Sequence, residues 1–331
     1  MRKALVIGID NYPGQALHCC VNDARDVARL LKTNENNSPN FDVDLMTSPG
    51  HDLSNWKLEQ AVSNFFKSST RVETAVLYFA GHGFINPLTD SGYIVGTDGR
   101  QGAWGMSLSH LLDLANRAYS TITSSVIILD CCHAGHLGEL MRESAGSASV
   151  IGKGVTILTS CNADEKAKER GRHGLFTELL IDALDGGSAD VRGNITPASV
   201  YSLIDQALRA NDQRPLYKAN VQQSVTLRRV KAGVSDEVLR KLPVYFPDPD
   251  EDFRLDPSYE PNRDNVPRKI KKIPPVAENV AVFEELQACN RQGLVVPVGE
   301  KHMYYAAINK KACQLTAAGK RYRRLAEKGM I

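Results

Sequence analysis

The stretch SSVIILDCCHAGHLGE, residues 124–139, decides how this chain is read. Ser125–Leu129 is a short, unbroken apolar run rich in β-branched residues, the pattern of a strand buried on both faces. It runs straight into Asp130, Cys131, Cys132 and His133. Three chemistries compete for such an ending: a metal site, a redox pair and a nucleophile. Structural zinc wants four ligands at spacings such as Cys-x-x-Cys, and adjacent cysteines serve one tetrahedral ion poorly. Vicinal cysteines are also a poor disulfide framework. A buried small hydrophobe or a nucleophilic thiol remains, and the nucleophile needs a base within reach.

A second strand end supplies one. LYFAGHGF, residues 77–84, sets His82 between two glycines just past the run Ala75–Ala80. Short apolar runs alternate with amphipathic segments along the first 230 residues. Ala4–Ile9 precedes Asn22–Leu31, Asp42–Met46 precedes Leu53–Phe66, and Ala75–Ala80 precedes Leu108–Arg117. Ser125–Leu129, Val155–Thr159 and Leu175–Leu184 continue the series, and Thr196 with Pro197 opens a helix over Pro197–Leu208. This alternation predicts an α/β fold, a mostly parallel sheet of central strands with helices on both faces. Ser224–Val230 is expected to close the sheet as an edge strand. Ligands of open parallel sheets bind outside the carboxyl ends of the strands, so His82 and Cys132 are expected in one cleft. Gly83 lets its amide approach an oxyanion with no Cβ in the way, and the Cys132 amide is the second candidate donor.

These motifs resemble the caspase superfamily, and within it the metacaspase-like branch. His82 and Cys132 stand 50 residues apart, as the family's histidine and cysteine do. Asp130, Cys131, Cys132, His133, Ala134 and Gly135 resemble the branch's Asp-Ser-Cys-His-Ser-Gly, with Cys131 and Ala134 replacing serines. HCCVNDARDVARLL, residues 18–31, is similar to the family's segment after the first strand, and HGLFTELLIDAL, residues 173–184, to the helix after the fifth. The resemblance implies that Cys132 is the nucleophile and His82 its proton carrier, with Gly83 and Cys132 holding the oxyanion. It also implies that Cys20, Asp23 and Asp130 line the first specificity pocket. Two carboxylates there select Arg or Lys, since an uncharged guest leaves buried charge unpaired. Asp23 also has a plainer reading, as a cap of the helix that follows it. The family's calcium-binding acids have no paired Asp-Asp counterpart here. Asp90 and Asp98 flank SGYIVGT, so no cofactor or metal is required and calcium stays an alternative.

The remaining 100 residues change character. Leu242–Pro275 holds eight prolines and little apolar periodicity, which predicts an irregular linker or arm over 231–276. Beyond it, helices over Val280–Cys289 and Ala317–Lys328 and a strand over Leu294–Val298 form a small α/β module, 277–331. Its last segment faintly resembles the end of a winged helix. From Arg291 onward nine basic residues face only Glu300 and Glu327. Tyr304, Tyr305, Arg321 and Arg324 are the candidate contacts for an anionic regulator, with a small nucleotide as the activator that bacterial caspase-like defence effectors suggest. Self-cleavage at Arg142 or Lys153 would be a second means of control.

The formal net charge of +2 over 331 residues gives no whole-chain attraction to nucleic acid or membrane. No run approaches the roughly 18 apolar residues of a membrane span, and MRKALVIGID reads as a strand rather than a signal peptide. Seven cysteines, four of them vicinal, suit a reducing cytoplasm. Absence of Gly-x-Gly-x-x-Gly argues against a dinucleotide site. The expectation is a regulated cysteine endopeptidase acting on proteins after Arg or Lys. The rival is a non-catalytic scaffold that binds through its basic tail.

Overall fold

Strand Ile122–Asp130 lies inside a six-stranded sheet, as its unbroken apolar run requires. The computed structural model describes residues 1–86, 88–89, 91–131, 151–160, 169–209, 213–262, 264 and 266–331, with backbone alone at 169 and 170. The sheet order is Leu216–Asn220, Val155–Thr159, Ile122–Asp130, Val72–Ala80, Arg2–Gly8 and Asp42–Thr47. All pairings are parallel except that of Leu216–Asn220 with Val155–Thr159. Register sets Gly8 beside Ala80 and Ala80 beside Asp130. The carboxyl ends of the three middle strands are therefore level, and the residues after them share one edge.

Alternate side chains of these strands feed two separate cores. Leu5, Ile7, Leu77, Phe79, Ile127 and Leu129 pack with helices Asn55–Phe66 and Leu108–Arg117. Ala4, Val6, Val76, Tyr78, Val126 and Ile128 pack with helices Cys20–Lys32, Leu175–Asp182 and Pro197–Ala207 on the opposite face. Each large aliphatic or aromatic side chain buried this way stabilises by about 1.5–3 kcal/mol, so the paired cores dominate the energetics.

Helix Cys20–Lys32 buries Cys20, Asp23, Ala24, Val27, Ala28 and Leu31, a helical stripe. Its first amides are held by the Asp10 carboxylate, which accepts from Cys20 N at 2.9 Å and Val21 N at 3.4 Å. Gly8 allows that close approach, since a Cβ there would collide with the Cys20 carbonyl. The Thr196 cap forms as expected, as a reciprocal capping box with Ser199.

Several expectations are corrected. Asp42–Thr47 is an edge strand, not a central one, and its outer half is partly exposed. Ser224–Val230 does not close the sheet; Leu216–Asn220 does. Arg228–Arg229 instead pairs with Asn194–Ile195, and the Arg228 guanidinium is tied to the Thr33 and Leu184 carbonyls, away from the sheet. A small antiparallel sheet of Gly83–Asn86, Ser91–Ile94 and Met106–Ser107 follows His82 and was not anticipated.

The chain divides into two units, the first comprising Met1–Asp190 with Asn194–Val230 and the second Val191–Gly193 with Lys231–Ile331. The stretch expected as an irregular arm contains helix Asp236–Tyr245, with Pro243 in its last turn, and strand Phe253–Arg254. That strand pairs with Ala312–Leu315, which pairs in turn with Val295–Val298, all antiparallel. Helices Ala277–Arg291, Met303–Ile308 and Ala317–Glu327 complete the unit around Leu242, Phe246, Phe283, Leu286 and Cys313. Among the described residues no helix is long and apolar enough to cross a membrane.

Candidate active site

His82 follows the central strand Val72–Ala80 and begins the small sheet. Its main chain is anchored by a side chain absent from the sequence reading, Tyr12. Val95 N donates to His82 O at 3.0 Å, so these two residues form a hydrogen-bonded antiparallel pair. The second bond of such a pair is relayed here. His82 N donates to the Tyr12 hydroxyl at 3.0 Å, and that hydroxyl donates to Val95 O at 3.0 Å. The rings of Tyr12 and His82 also touch, with centroids 4.4 Å apart. Burial holds the Tyr12 hydroxyl well above the usual phenol range, so it stays a donor.

Two consequences follow for the chemistry. Gly83 pairs with Ile94 in the next register position, a non-hydrogen-bonded pair whose amide points away from the ladder. His82 Nε2 lies 2.7 Å from the Gln15 carbonyl, which can only accept. Nε2 therefore carries the hydrogen and the neutral ring presents Nδ1 as its basic nitrogen.

The expected pocket acids do converge. Asp23 is 1% exposed and Asp130 6% exposed. Both face Gly174: a Cβ built there would stand 2.9 Å from Asp130 Oδ2 and 3.4 Å from Asp23 Oδ2. Asp23 does not cap its helix, the role taken by Asp10. It accepts from Gly174 N at 3.2 Å and meets His173 Nδ1 at 2.7 Å. Asp130 Oδ2 accepts from the Thr177 hydroxyl at 2.6 Å, which in turn lies 2.6 Å from the Tyr78 hydroxyl. With Thr177 donating to the carboxylate, Tyr78 donates to Thr177, giving a buried chain of oriented donors. Burial first, then the charges of Asp23 and Asp130, hold the Tyr78 hydroxyl well above its ordinary pKa. Cys20, buried at the start of the Asp23 helix, adds to the same electrostatic neighbourhood of Tyr78. Asp23 and Asp130 thus form a buried acidic cluster around Gly174, with His82 on a neighbouring strand end.

The expected nucleophile Cys132 lies outside the described residues, as do Asp90 and Arg142. Cys131, its neighbour, is buried, and its carbonyl accepts from the Ser160 hydroxyl at 3.4 Å. Asp98 accepts from Asn55 N at 2.6 Å at the start of a helix. In the second unit, Tyr304 and Tyr305 sit on Met303–Ile308, and Arg321 and Arg324 on the separate helix Ala317–Glu327. Tyr305, Arg321 and Arg324 are exposed, while the Tyr304 hydroxyl donates to Asp264 O at 3.3 Å. Among the described residues no group of three or more His, Cys, Asp or Glu converges as metal ligands.

A parallel sheet with a glycine-flanked histidine and a buried acid at adjacent strand ends defines the frame of a caspase-type cysteine peptidase. The family model for the caspase domain, Peptidase_C14, matches residues 1–231, and the chain belongs to that family. Among solved structures, the fold is similar to a protein of Geobacter sulfurreducens, 16% identical, covering 69% of this chain and 97% of that one with a TM-score of 0.47. It is also similar to caspase-1 from Spodoptera frugiperda, 10% identical, covering 69% and 90% with a TM-score of 0.48. No curated protein matches the chain.

Proposed function

We propose that the first unit is a cysteine endopeptidase of metacaspase-like type that cuts proteins after Arg or Lys. The observation carrying this reading is the pair of buried carboxylates, Asp23 and Asp130, gathered around Gly174 beside the His82 loop. A cationic side chain placed beside two buried carboxylates gains an attraction that a neutral one forfeits. An acidic guest is repelled, which separates this pocket from one built for Asp.

In the proposed reaction, His82 Nδ1 takes the Cys132 thiol proton and the thiolate attacks the scissile carbonyl carbon. An S–C bond forms while the carbonyl π pair moves onto oxygen. The Gly83 and Cys132 amides stabilise that oxyanion, and the ladder register supports Gly83 because its N–H is directed away from Ile94. As the C–N bond breaks, His82 returns its proton to the leaving amine. Water, deprotonated by His82, then hydrolyses the thioester and restores the thiol. The Gln15 carbonyl keeps the imidazole in the tautomer this sequence requires. The second unit, with exposed Tyr305, Arg321 and Arg324, is read as the element through which an anionic signal such as a nucleotide releases activity in a cytoplasmic setting.

The test uses the full chain and peptides carrying Arg, citrulline or Asp before the cleaved bond, beside Cys132→Ala. Citrulline keeps the shape of Arg and removes its charge. The expected result is turnover of the Arg series alone, abolished in Cys132→Ala. Cleavage after Asp, or turnover surviving in the variant, overturns the reading; binding without cleavage of any peptide favours the scaffold.

A further inference from the structure

A recess begins at His82. It has a volume of about 570 Å³ and is lined by Tyr12, His82, Gly83, Phe84, Asp98 and Trp104, among others. Its apolar lining and the Asp23–Asp130 cluster belong to opposite faces of the sheet. Asp130, Thr177, Tyr78 and Cys20 belong with the core packed by helices Cys20–Lys32 and Leu175–Asp182. Tyr12, Phe79 and Val95 belong with the core on the opposite face. On the peptidase reading, a polypeptide whose scissile carbonyl sits at His82 and Gly83, with its preceding side chain at the Asp23–Asp130 cluster, is taken to leave over this recess.

The walls specify the guest. Phe84 and Trp104 stack with ring centroids 3.8 Å apart and planes 23° apart, a preformed aromatic platform. Tyr12 and Val95, 7% and 8% exposed, form an apolar floor. The one lining carboxylate among the described residues, Asp98, accepts the first amide of helix Asn55–Phe66, and its negative charge disfavours an acidic guest. The volume falls within the 300–1,000 Å³ of pockets that enclose sizeable ligands, well beyond what a methyl side chain fills. We infer that this recess is the leaving-group subsite of the peptidase and that it selects a large aromatic residue on the amine side of the scissile bond. The inference rests on the peptidase reading, which supplies the direction of the chain.

The test separates the two. Full-length Cys132→Ala protein is titrated calorimetrically with uncleaved peptides in a grid: Arg or Asp before the bond, and Trp, Ala or Asp after it. Stacking on the platform is expected to give Trp peptides roughly three- to tenfold tighter binding than Ala peptides, with Asp weakest. In a Trp104→Ala background the Trp preference vanishes, and in Trp104→Phe it is largely kept, which distinguishes a lost platform from a lost fold. A Trp preference seen equally after Arg and Asp supports the subsite while refuting the basic-residue pocket. Equal binding of Trp and Ala peptides, a preference that survives Trp104→Ala, or no binding by any peptide overturns the subsite.

Discussion

Gly174→Ala probes the Asp23–Asp130 cluster with a single methyl group. Gly174 has φ −63° and ψ 144°, open to any residue, so backbone strain does not enter. Its new Cβ would stand 2.9 Å from Asp130 Oδ2, closer than carbon and oxygen tolerate without movement. That oxygen is not a loose chain end, since the Thr177 hydroxyl holds it at 2.6 Å. Relief requires the carboxylate to retreat from the place where the proposed pocket would meet a guest's guanidinium, and a hydrogen bond to a charged group contributes about 1.5–3 kcal/mol. Loss of between half and all of it corresponds to roughly 4- to 150-fold. The measured quantity is the ratio of kcat/KM for Arg over citrulline peptides, expected to fall within that range, with a thermal melt run alongside. A Tm change of several degrees is compatible, at about 2–4 °C per kcal/mol for a domain of this size. An active Gly174→Ala enzyme with an unchanged Arg-to-citrulline ratio would refute the placement of the guest beside Asp130.

Two further outcomes bear on the frame of the site and on the second unit. Tyr12→Phe removes the hydroxyl relay and leaves His82 N–H and Val95 C=O unpaired in a buried place; urea unfolding should show a loss of about 1–3 kcal/mol together with reduced kcat/KM, and an unchanged midpoint would argue against the relay. Burial pushes the Cys289 and Cys313 thiols up to about 12 from the ordinary 9.0. Because folded-state values are raised, this stability is whole below pH 9 and is lost as pH climbs towards 12, once the unfolded thiols ionise and the folded ones do not. Two retained protons give a slope approaching about 3 kcal/mol per pH unit, and Cys289→Ala should halve it between pH 9 and 10; an unaltered slope would sink the assignment.

How much of this was legible beforehand depends on the range of the interaction concerned. Buried parallel strands declare themselves because continuous apolar runs have few other homes, and Val155–Thr159 and helix Leu108–Arg117 are found at the predicted residues. Leu216–Asn220 escaped notice because an edge strand on a solvated margin can carry Lys218 and Asn220. The proline count of Leu242–Pro275 suggested irregularity, yet Pro243 is accommodated inside helix Asp236–Tyr245, where it removes one i→i−4 hydrogen bond close to the helix end. Asp23 and Asp130 were recognisable through their motifs. Tyr12 was not, because its partner Val95 lies 83 residues away and nothing local to Tyr12 distinguishes it from a core tyrosine. His173, Gly174 and Thr177 were seen as part of a helix, while their polar edge towards the acids only becomes visible once the helix is docked.

The acidic cluster is assembled from distant parts of the chain: Asp23 meets His173 across 150 residues, and Asp130 meets Thr177 across 47. A chain still emerging during synthesis, or partly unravelled, would therefore own a thiol and an imidazole before it owned any preference. Discrimination depends on both of these long-range contacts, so selectivity between Arg and citrulline doubles as a gauge of folding: it should collapse with the tertiary structure, while the reactivity of a free thiol does not require it.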